Sequence, residues 1–323
     1  MKYLSLFSGI GGFELGIQQA YDNRGFLQGK TTEDVPDNST NIKGRQTRAT
    51  CIGYSEIDKY AIKIYERHFP EHKNYGDITK MDTATLPEFD LVVGGFPCQS
   101  FSIAGKRGGF SDTRGTLFFE IARIVKAKQP RLLLLENVKG LLSHDQGATS
   151  YTIISTLDEL GYDLQWQVLN SKNHGVPQNR ERVFIVGHLR GTPRPEVFPF
   201  TSGHAVNTVS DAQGNDVAHT LQCGDKHRGS YIVHNVYGGF GETEVREFHD
   251  VSSTIRTPQG GGHIPNVVEG MKIRRLIPTE CARLQGFPDD WHKVDGISDS
   301  QAYKCYGNAV TVNVVREIMK RLL

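Results

Sequence analysis

Apolar residues in the first 190 positions come in short runs separated by stretches of helical period. Tyr3 to Phe7, Cys51 to Ser55, Leu91 to Val93, Arg131 to Leu135, Leu164 to Leu169 and Val183 to Gly187 read as strands, and Gly76-Asp77-Ile78 as the close of another. Between them, Leu15, Ile17 and Ala20 mark one helix, and Tyr60 to Phe69, Leu117 to Lys128 and Tyr151 to Leu160 mark three more. Strands alternating with helices predict an α/β chain built on a mostly parallel, doubly wound sheet. In such a sheet, ligands and chemistry gather at the carboxyl ends of the strands.

Those ends are not ordinary. The first strand runs into Ser8-Gly9-Ile10-Gly11-Gly12 and then a helix, a turn that lets a nucleotide-like ligand approach the backbone, although many such turns bind nothing. Its spacing is not the dinucleotide G-x-G-x-x-G, which argues against NAD. The second strand ends in Glu56-Ile57-Asp58. An acid there can accept from ribose hydroxyls or simply cap the next helix, the role that suits Asp58. The strand from Leu91 delivers Cys98 behind Phe96 and Pro97, and Arg131 to Leu135 delivers Glu136-Asn137-Val138. A thiol and a carboxyl at one sheet edge suggest a nucleophile paired with an acid.

Texture changes after Arg190. Residues 191–270 are rich in Gly, Thr, Pro and His, with short β-like runs and no clear helix. Lys272 onward regains helical character, and a Gly-Asn turn precedes a terminal amphipathic helix whose Val310, Val314 and Ile318 are spaced to pack on the first domain. The expected organisation is a catalytic and cofactor-binding domain of residues 1–190 plus 301–323, a β-rich domain of 191–272 and a hinge of 273–300. Residues 23–50, polar and turn-rich, read as a surface insertion.

The composition of the 323 residues, 37% hydrophobic and 23% charged, is that of a globular protein. A net charge of +1 does not mark a nucleic-acid binder, and the distribution of charge says more than its total. Lys106, Arg107, Arg114, Arg123, Lys126, Lys128 and Arg131 crowd the stretch after Cys98, against only Asp112 and Glu120. That stretch begins as a Gly/Ser/basic loop, with Gly105, Gly108, Gly109 and Gly115 among Ser100, Ser102 and Ser111, and reads as a mobile cover over a polyanion. A cysteine after a strand is more often buried than reactive, but this loop is a poor place for an inert thiol. In a strand, Gln178, Arg180 and Arg182 would share one face, and two arginines there need carboxylates, phosphate or a polar ligand.

Five cysteines without a Cys-x-x-Cys pair indicate free thiols in a reducing compartment and no zinc ribbon. His68 and His72 are separated by Pro70, which disfavours a helical metal pair. No apolar run reaches membrane-spanning length, and the N-terminus lacks a signal-peptide core. The expectation is a cytoplasmic, monomeric protein with no metal and no membrane partner.

With FSGIGGF (7–13), GFPCQSFS (95–102), ENV (136–138), QNRER (178–182), RRLIPTECARLQGFP (274–288) and GNAV (307–310) in this order, the chain resembles the DNA (cytosine-5)-methyltransferases over nearly its full length, particularly the small bacterial and phage enzymes. The resemblance implies the class I S-adenosylmethionine-dependent methyltransferase fold, Rossmann-like, with a smaller β-rich target-recognition domain. It implies S-adenosyl-L-methionine as cofactor, double-stranded DNA as substrate, and a cognate restriction endonuclease as an admissible partner. Cys98 would add to carbon 6 of an extruded cytosine, Glu136 would act at N3, and Arg182 would hold O2 with Arg180 in support. Phe7 would lie on the adenine, Glu56 at the ribose and Asp77 at the adenine amino group. Gly9, Gly11, Gly12, Ile57, Ile78, Pro97, Leu117, Asn308 and Val310 would complete the pocket. Ser100, Ser102, Lys106, Arg107, Arg114, Phe240 and Thr254 would meet DNA, with Phe240 stacking into the gap left by the base.

Alternatives remain at this level. A tRNA cytosine methyltransferase of the same family differs only in substrate, and a non-catalytic DNA-binding relative would be expected to have lost Cys98, Glu136 and Arg182. A cysteine hydrolase using His144 or His174 leaves the cofactor-like motifs unexplained. Exocyclic-amine methylation needs an Asp/Asn-Pro-Pro-aromatic site, which the chain lacks.

Overall fold

The computed structural model describes residues 1–27, 48–97, 117–200, 230–234, 246–248, 252, 254–255, 266–269 and 272–323. Strands β1 (Lys2–Leu6), β2 (Thr50–Ser55), β3 (Leu91–Gly95), β4 (Leu132–Val138), β5 (Tyr162–Asn170) and β6 (Glu181–Leu189) form one sheet in the order β2-β1-β3-β4-β6-β5. Neighbours from β2 to β4 are parallel, whereas β6 runs antiparallel to both β4 and β5. The sheet is therefore mixed at one end and parallel where the sequence placed the cofactor turn.

Alternation along each strand sorts the core onto two faces. Tyr3, Leu91, Val93, Leu132 and Leu134 pack with Phe13 and Ile17 of α1 (Gly12–Leu27) and with Val314, Val315 and Ile318 of α7 (Val312–Leu322). Leu4, Leu6, Val92, Leu133 and Leu135 face the other way, onto α3 (Leu117–Lys128) and α4 (Ala148–Glu159) through Ile121, Val125, Ile153 and Leu157. A third cluster joins α2 (Lys59–His68), α5 (Pro278–Leu284) and α6 (Asp299–Asn308) around Tyr54, Tyr65, Trp291 and Tyr306. The expected return of Val310, Val314 and Ile318 to the first domain is what the fold does.

A smaller antiparallel sheet, ordered β10-β9-β7-β8, comprises β7 (Ser230–His234), β8 (Arg246–Phe248), β9 (Asn266–Glu269) and β10 (Lys272–Arg275).

Four local expectations need correction. Gly76-Asp77-Ile78 is no strand: a lone bridge joins Tyr54 to Asn74, and Asp77 caps a 3-10 turn by accepting from Thr79 N at 3.0 Å and Thr79 Oγ1 at 2.8 Å. An aspartate offering the backbone its own acceptor competes with a strand ladder. Lys272–Arg275 is a strand, because pairing of Lys272 with Glu269 and Ile273 with Val268 outweighs the helical leaning of Lys and Arg. Asn23 to Leu27 continue α1, which shortens the insertion, and residues 28–47 lie outside the described chain. The Gly-Asn pair at 307–308 closes a helix of its own, α6, rather than a bare turn.

Candidate active site

Four parallel strands bring four carboxyl ends to one edge. Along it lie Glu56 after β2, the Phe7–Gly12 turn after β1, Phe96 and Pro97 after β3, and the end of β4 with Glu136. The turn after β1 sits where strand order reverses, the point at which such sheets open a crevice. Because β6 is antiparallel to β4, it begins at this same edge. Register pairs Val138 with Arg182, and Glu136 with Phe184.

That direction brings two sequence candidates together. Arg182 Nε lies 3.1 Å from Glu136 Oε1, with the two side chains 16% and 12% exposed. Gly95 pairs with Glu136 across β3 and β4, and a Cβ on Gly95 would stand 3.0 Å from Glu136 Oε2. Glycine here gives the carboxyl room to lie over the strand that leads to Cys98. Burial pushes the Glu136 carboxyl up from its ordinary value, while the Arg182 and Arg180 guanidinium groups pull it down. Asn137, whose side chain the sequence reading left without a role, is 2% exposed and donates from Nδ2 to Phe96 O at 2.8 Å. Its Oδ1 accepts from Val138 N at 2.8 Å, so a buried amide ties the end of β4 to the backbone just ahead of Pro97.

Arg180 behaves differently from Arg182. It precedes β6, is 2% exposed, and donates to Ala309 O at 2.7 Å, Gly307 O at 3.2 Å and Ile255 O at 3.4 Å. Backbone carbonyls, not the expected carboxylate or phosphate, receive this guanidinium. Gln178 is also outside the strand, in a lone bridge with Ser252. Asn179 N donates to Ser252 O and Ser252 N to Pro177 O, each at 2.8 Å. The Thr254 hydroxyl donates to Asn179 O at 2.6 Å. One fully buried arginine and a strand-like contact thus fasten residues 252, 254 and 255 and the α6–α7 turn to the start of β6.

On the other side of the edge, Glu56 Oε2 accepts from Gly9 N at 2.9 Å, and Oε1 accepts from Ile57 N and Asp58 N at 2.8 Å. The carboxylate braces the glycine turn and keeps acceptor capacity on Oε2. Ile57, an aliphatic side chain at the same edge, is 73% exposed. Asp58 caps α2 through Tyr60 N and Ala61 N and pairs with Lys304 Nζ at 2.7 Å, the capping role its position suggested. Phe7 and Leu117 are half-buried, Ile78 is buried, Pro97 and Asn308 are exposed, and Val310 is buried against Gly12. Cys98, Ser100, Ser102, Lys106, Arg107, Arg114 and Phe240 lie outside the described residues. Cys51, Cys281 and Cys305 are free thiols, as the odd count suggested. Among the described residues there is no His/Cys/Asp/Glu group able to hold a metal, and no helix is long and apolar enough to cross a membrane.

Beneath the turn, Glu14 in the first turn of α1 is fully buried and accepts from Tyr65 Oη at 3.0 Å. Burial raises its carboxyl from 4.5 to about 7, against the opposing hydrogen bonds. The folded chain therefore keeps this proton up to about pH 7, while the unfolded chain releases it near 4.5, so the associated stability is present below 4.5 and lost as pH rises through 7. The difference is on the order of 3 kcal/mol. Glu14→Gln, which keeps the acceptor for Tyr65, is expected to raise unfolding free energy by up to about 3 kcal/mol at pH 8 and by much less at pH 5. Urea denaturation at both pH values measures it, and an equal shift at the two would contradict the assignment.

The chain is similar to known proteins along its whole length. The family model for C-5 cytosine-specific DNA methylase matches residues 1–323. The chain is 39% identical over 333 residues to the Type II methyltransferase M1.ScrFI of Lactococcus lactis subsp. cremoris, covering 100% of this chain and 78% of the relative. It is 35% identical over 326 residues to M.NlaX of Neisseria lactamica, with 99% and 96% covered, and 35% identical over 336 residues to M.HhaI of Haemophilus parahaemolyticus, with 98% and 93% covered. The fold is shared with the S. pombe Dnmt2 methyltransferase at a TM-score of 0.64 and 20% identity, covering 100% of this chain and 98% of the other. Matched from first residue to last, with Glu136 and Arg182 facing each other at its sheet edge, this chain belongs to the C-5 cytosine-specific DNA methylases and is a DNA cytosine-5 methyltransferase.

Proposed function

We propose that the chain methylates carbon 5 of an extruded cytosine in a specific duplex sequence through a transient Cys98 adduct, with S-adenosyl-L-methionine as donor. The observation that carries the reading is the Glu136–Arg182 contact of 3.1 Å at the edge toward which β3 leads Cys98. The Cys98 thiolate attacks carbon 6, and Glu136 donates a proton at N3, so the ring electrons are returned to carbon 5 as an enamine. Arg182 holds O2, and Arg180 supports the site from behind through its three carbonyls. Bound S-adenosyl-L-methionine supplies the methyl group that carbon 5 takes up, with S-adenosylhomocysteine leaving. Loss of the carbon 5 proton to a base, expulsion of the Cys98 thiolate and return of the N3 proton to the Glu136 carboxylate then restore the ring and the enzyme.

The described residues suit that cofactor. Glu56 Oε2 has a lone pair for a ribose hydroxyl, Ile57 offers an exposed apolar surface to a purine, and Asp77 is an exposed acceptor for its amino group. Phe7, Gly9, Gly11, Gly12, Ile78, Pro97, Leu117, Asn308 and Val310 complete the pocket. Ser100, Ser102, Lys106, Arg107, Arg114, Phe240 and Thr254 serve DNA, within a recognition domain of 191–272 joined through 273–300 to the catalytic residues 1–190 and 301–323. The protein acts as a cytoplasmic monomer, and the Type II relatives favour a cognate restriction endonuclease as its partner in the host. Duplex oligonucleotides in which 5-fluorocytosine replaces each candidate cytosine test the chemistry. With S-adenosyl-L-methionine, a stable covalent protein–DNA adduct is expected. No adduct on DNA, or an adduct on tRNA alone, would overturn the reading.

A further inference from the structure

The Phe7–Gly12 turn holds an awkward backbone. Phe7, Gly9 and Gly11 have φ of 54°, 55° and 89°, all in the left-handed region. For Phe7 that conformation is costly, and a segment of this kind persists only where its surroundings over-determine it. Most of its restraints come from nearby strands: Gly9 N on Glu56, Ser8 N on Ser55 O at 3.3 Å, and Gly11 N on Ser8 O at 3.1 Å. One comes from the far end of the chain. Trp291 donates from its indole N–H to Ile10 O at 2.9 Å, a buried hydrogen bond between residues 281 apart in sequence.

The indole that makes this bond is itself held fast. Trp291 is 7% exposed, and the His68 ring stacks on it at 3.4 Å and 4°. His68 Nε2 lies 2.8 Å from Trp291 O, and since a carbonyl only accepts, that nitrogen carries the proton. Phe287 and Phe69 pack around the same ring at 5.5 and 6.0 Å. Position 291 follows α5, in the segment that returns from the small sheet toward the C-terminal helices.

We propose that Trp291 is a positioning residue for the cofactor: its N–H fixes the Ile10 carbonyl and so keeps the Phe7–Gly12 turn in the conformation that receives S-adenosyl-L-methionine. This rests on the cofactor site proposed above. Without the donor, the turn relaxes out of its left-handed path in the free protein, and binding must restore it. Cofactor affinity falls while DNA contacts, made elsewhere, do not change. A lost buried hydrogen bond predicts a dissociation constant for S-adenosylhomocysteine weaker by about tenfold.

The test uses the full chain with Trp166→Phe, which leaves Trp291 as the sole tryptophan. Trp166 is 52% exposed on the edge strand β5, away from the turn. Titration with S-adenosylhomocysteine is expected to change Trp291 emission with the dissociation constant found by calorimetry. Two replacements then remove the donor: Trp291→Phe, and β-(3-benzothienyl)alanine at 291, which keeps the indole shape without an N–H and guards against a packing defect in the first. Both are expected to weaken S-adenosylhomocysteine about tenfold, with duplex-DNA affinity and kcat at saturating cofactor within about twofold. An unchanged cofactor constant in the benzothienyl protein overturns the proposal, as does emission indifferent to bound ligand. Failure of the unmodified protein to bind S-adenosylhomocysteine at all would instead remove the cofactor site on which the proposal depends.

Discussion

Cys98→Ala is expected to lower methyl transfer by at least about 10⁴-fold, the scale on which removal of an attacking group is felt. Carbon 5 of cytosine is a weak nucleophile, and only addition at carbon 6 gives it enamine character. Among the described residues, no other cysteine can substitute. Cys281 and Cys305 are buried, and burial pushes the Cys305 thiol up to about 12 and the Cys281 thiol higher still. Cys51 is likewise pushed up to about 12 by burial and by the nearby Glu14 carboxylate. These thiols stay protonated at neutral pH, and the thiolate is the reactive form. Single-turnover transfer of labelled methyl to duplex DNA measures the loss, with DNA and S-adenosylhomocysteine affinities expected within a few-fold. A variant slowed by less than about a hundredfold would show that the adduct is not on the reaction path.

Glu136→Gln comes second, with an expected fall in kcat of about 10²–10⁴-fold and little change in KM for DNA. Glutamine keeps the size of the side chain and can still donate a hydrogen bond, but it cannot pass a proton to N3. Burial, the dominant influence on Glu136, favours the protonated form, and Arg182 and Arg180 limit how far. Because the folded value lies above the ordinary one, the competent acid is present below that value and is lost as pH rises through it. The wild-type rate is therefore expected to decline on the alkaline side, and Glu136→Gln to abolish that limb. An alkaline limb that survives in the variant would assign it to another group.

Much of the sheet is readable from periodicity because each strand buries alternate residues and each helix buries a stripe. Leu117 to Lys128 is a helix with the expected bounds, and Leu91 to Val93 sits within β3. Local pattern says which element forms but not its direction. A strand beginning at QNRER could run either way, and only the antiparallel choice of β6 sets Arg182 against Glu136. Long-range polar bonds are equally silent in sequence. Arg180 reads as one more functional arginine until its carbonyl partners at 255, 307 and 309 are seen. Asn137 reads as part of a motif until its amide is found on Phe96 O. The resemblance named these motifs; the geometry says what some of their members hold.

The pairing of α1 with α7 bears on how the protein is made. Phe13 and Ile17 of α1 are buried against Val314, Val315 and Ile318 of α7, which are synthesised long after them. Arg180 waits for Ala309 in the same way, and Ile10 for Trp291. A polypeptide that lacks α6 and α7 therefore leaves the apolar flank of α1 uncovered and Arg180 without the carbonyls of 307 and 309, which makes it a substrate for chaperones and proteases. Assembly of the reactive edge therefore waits for α7, and a polypeptide released before that helix is made carries no completed site.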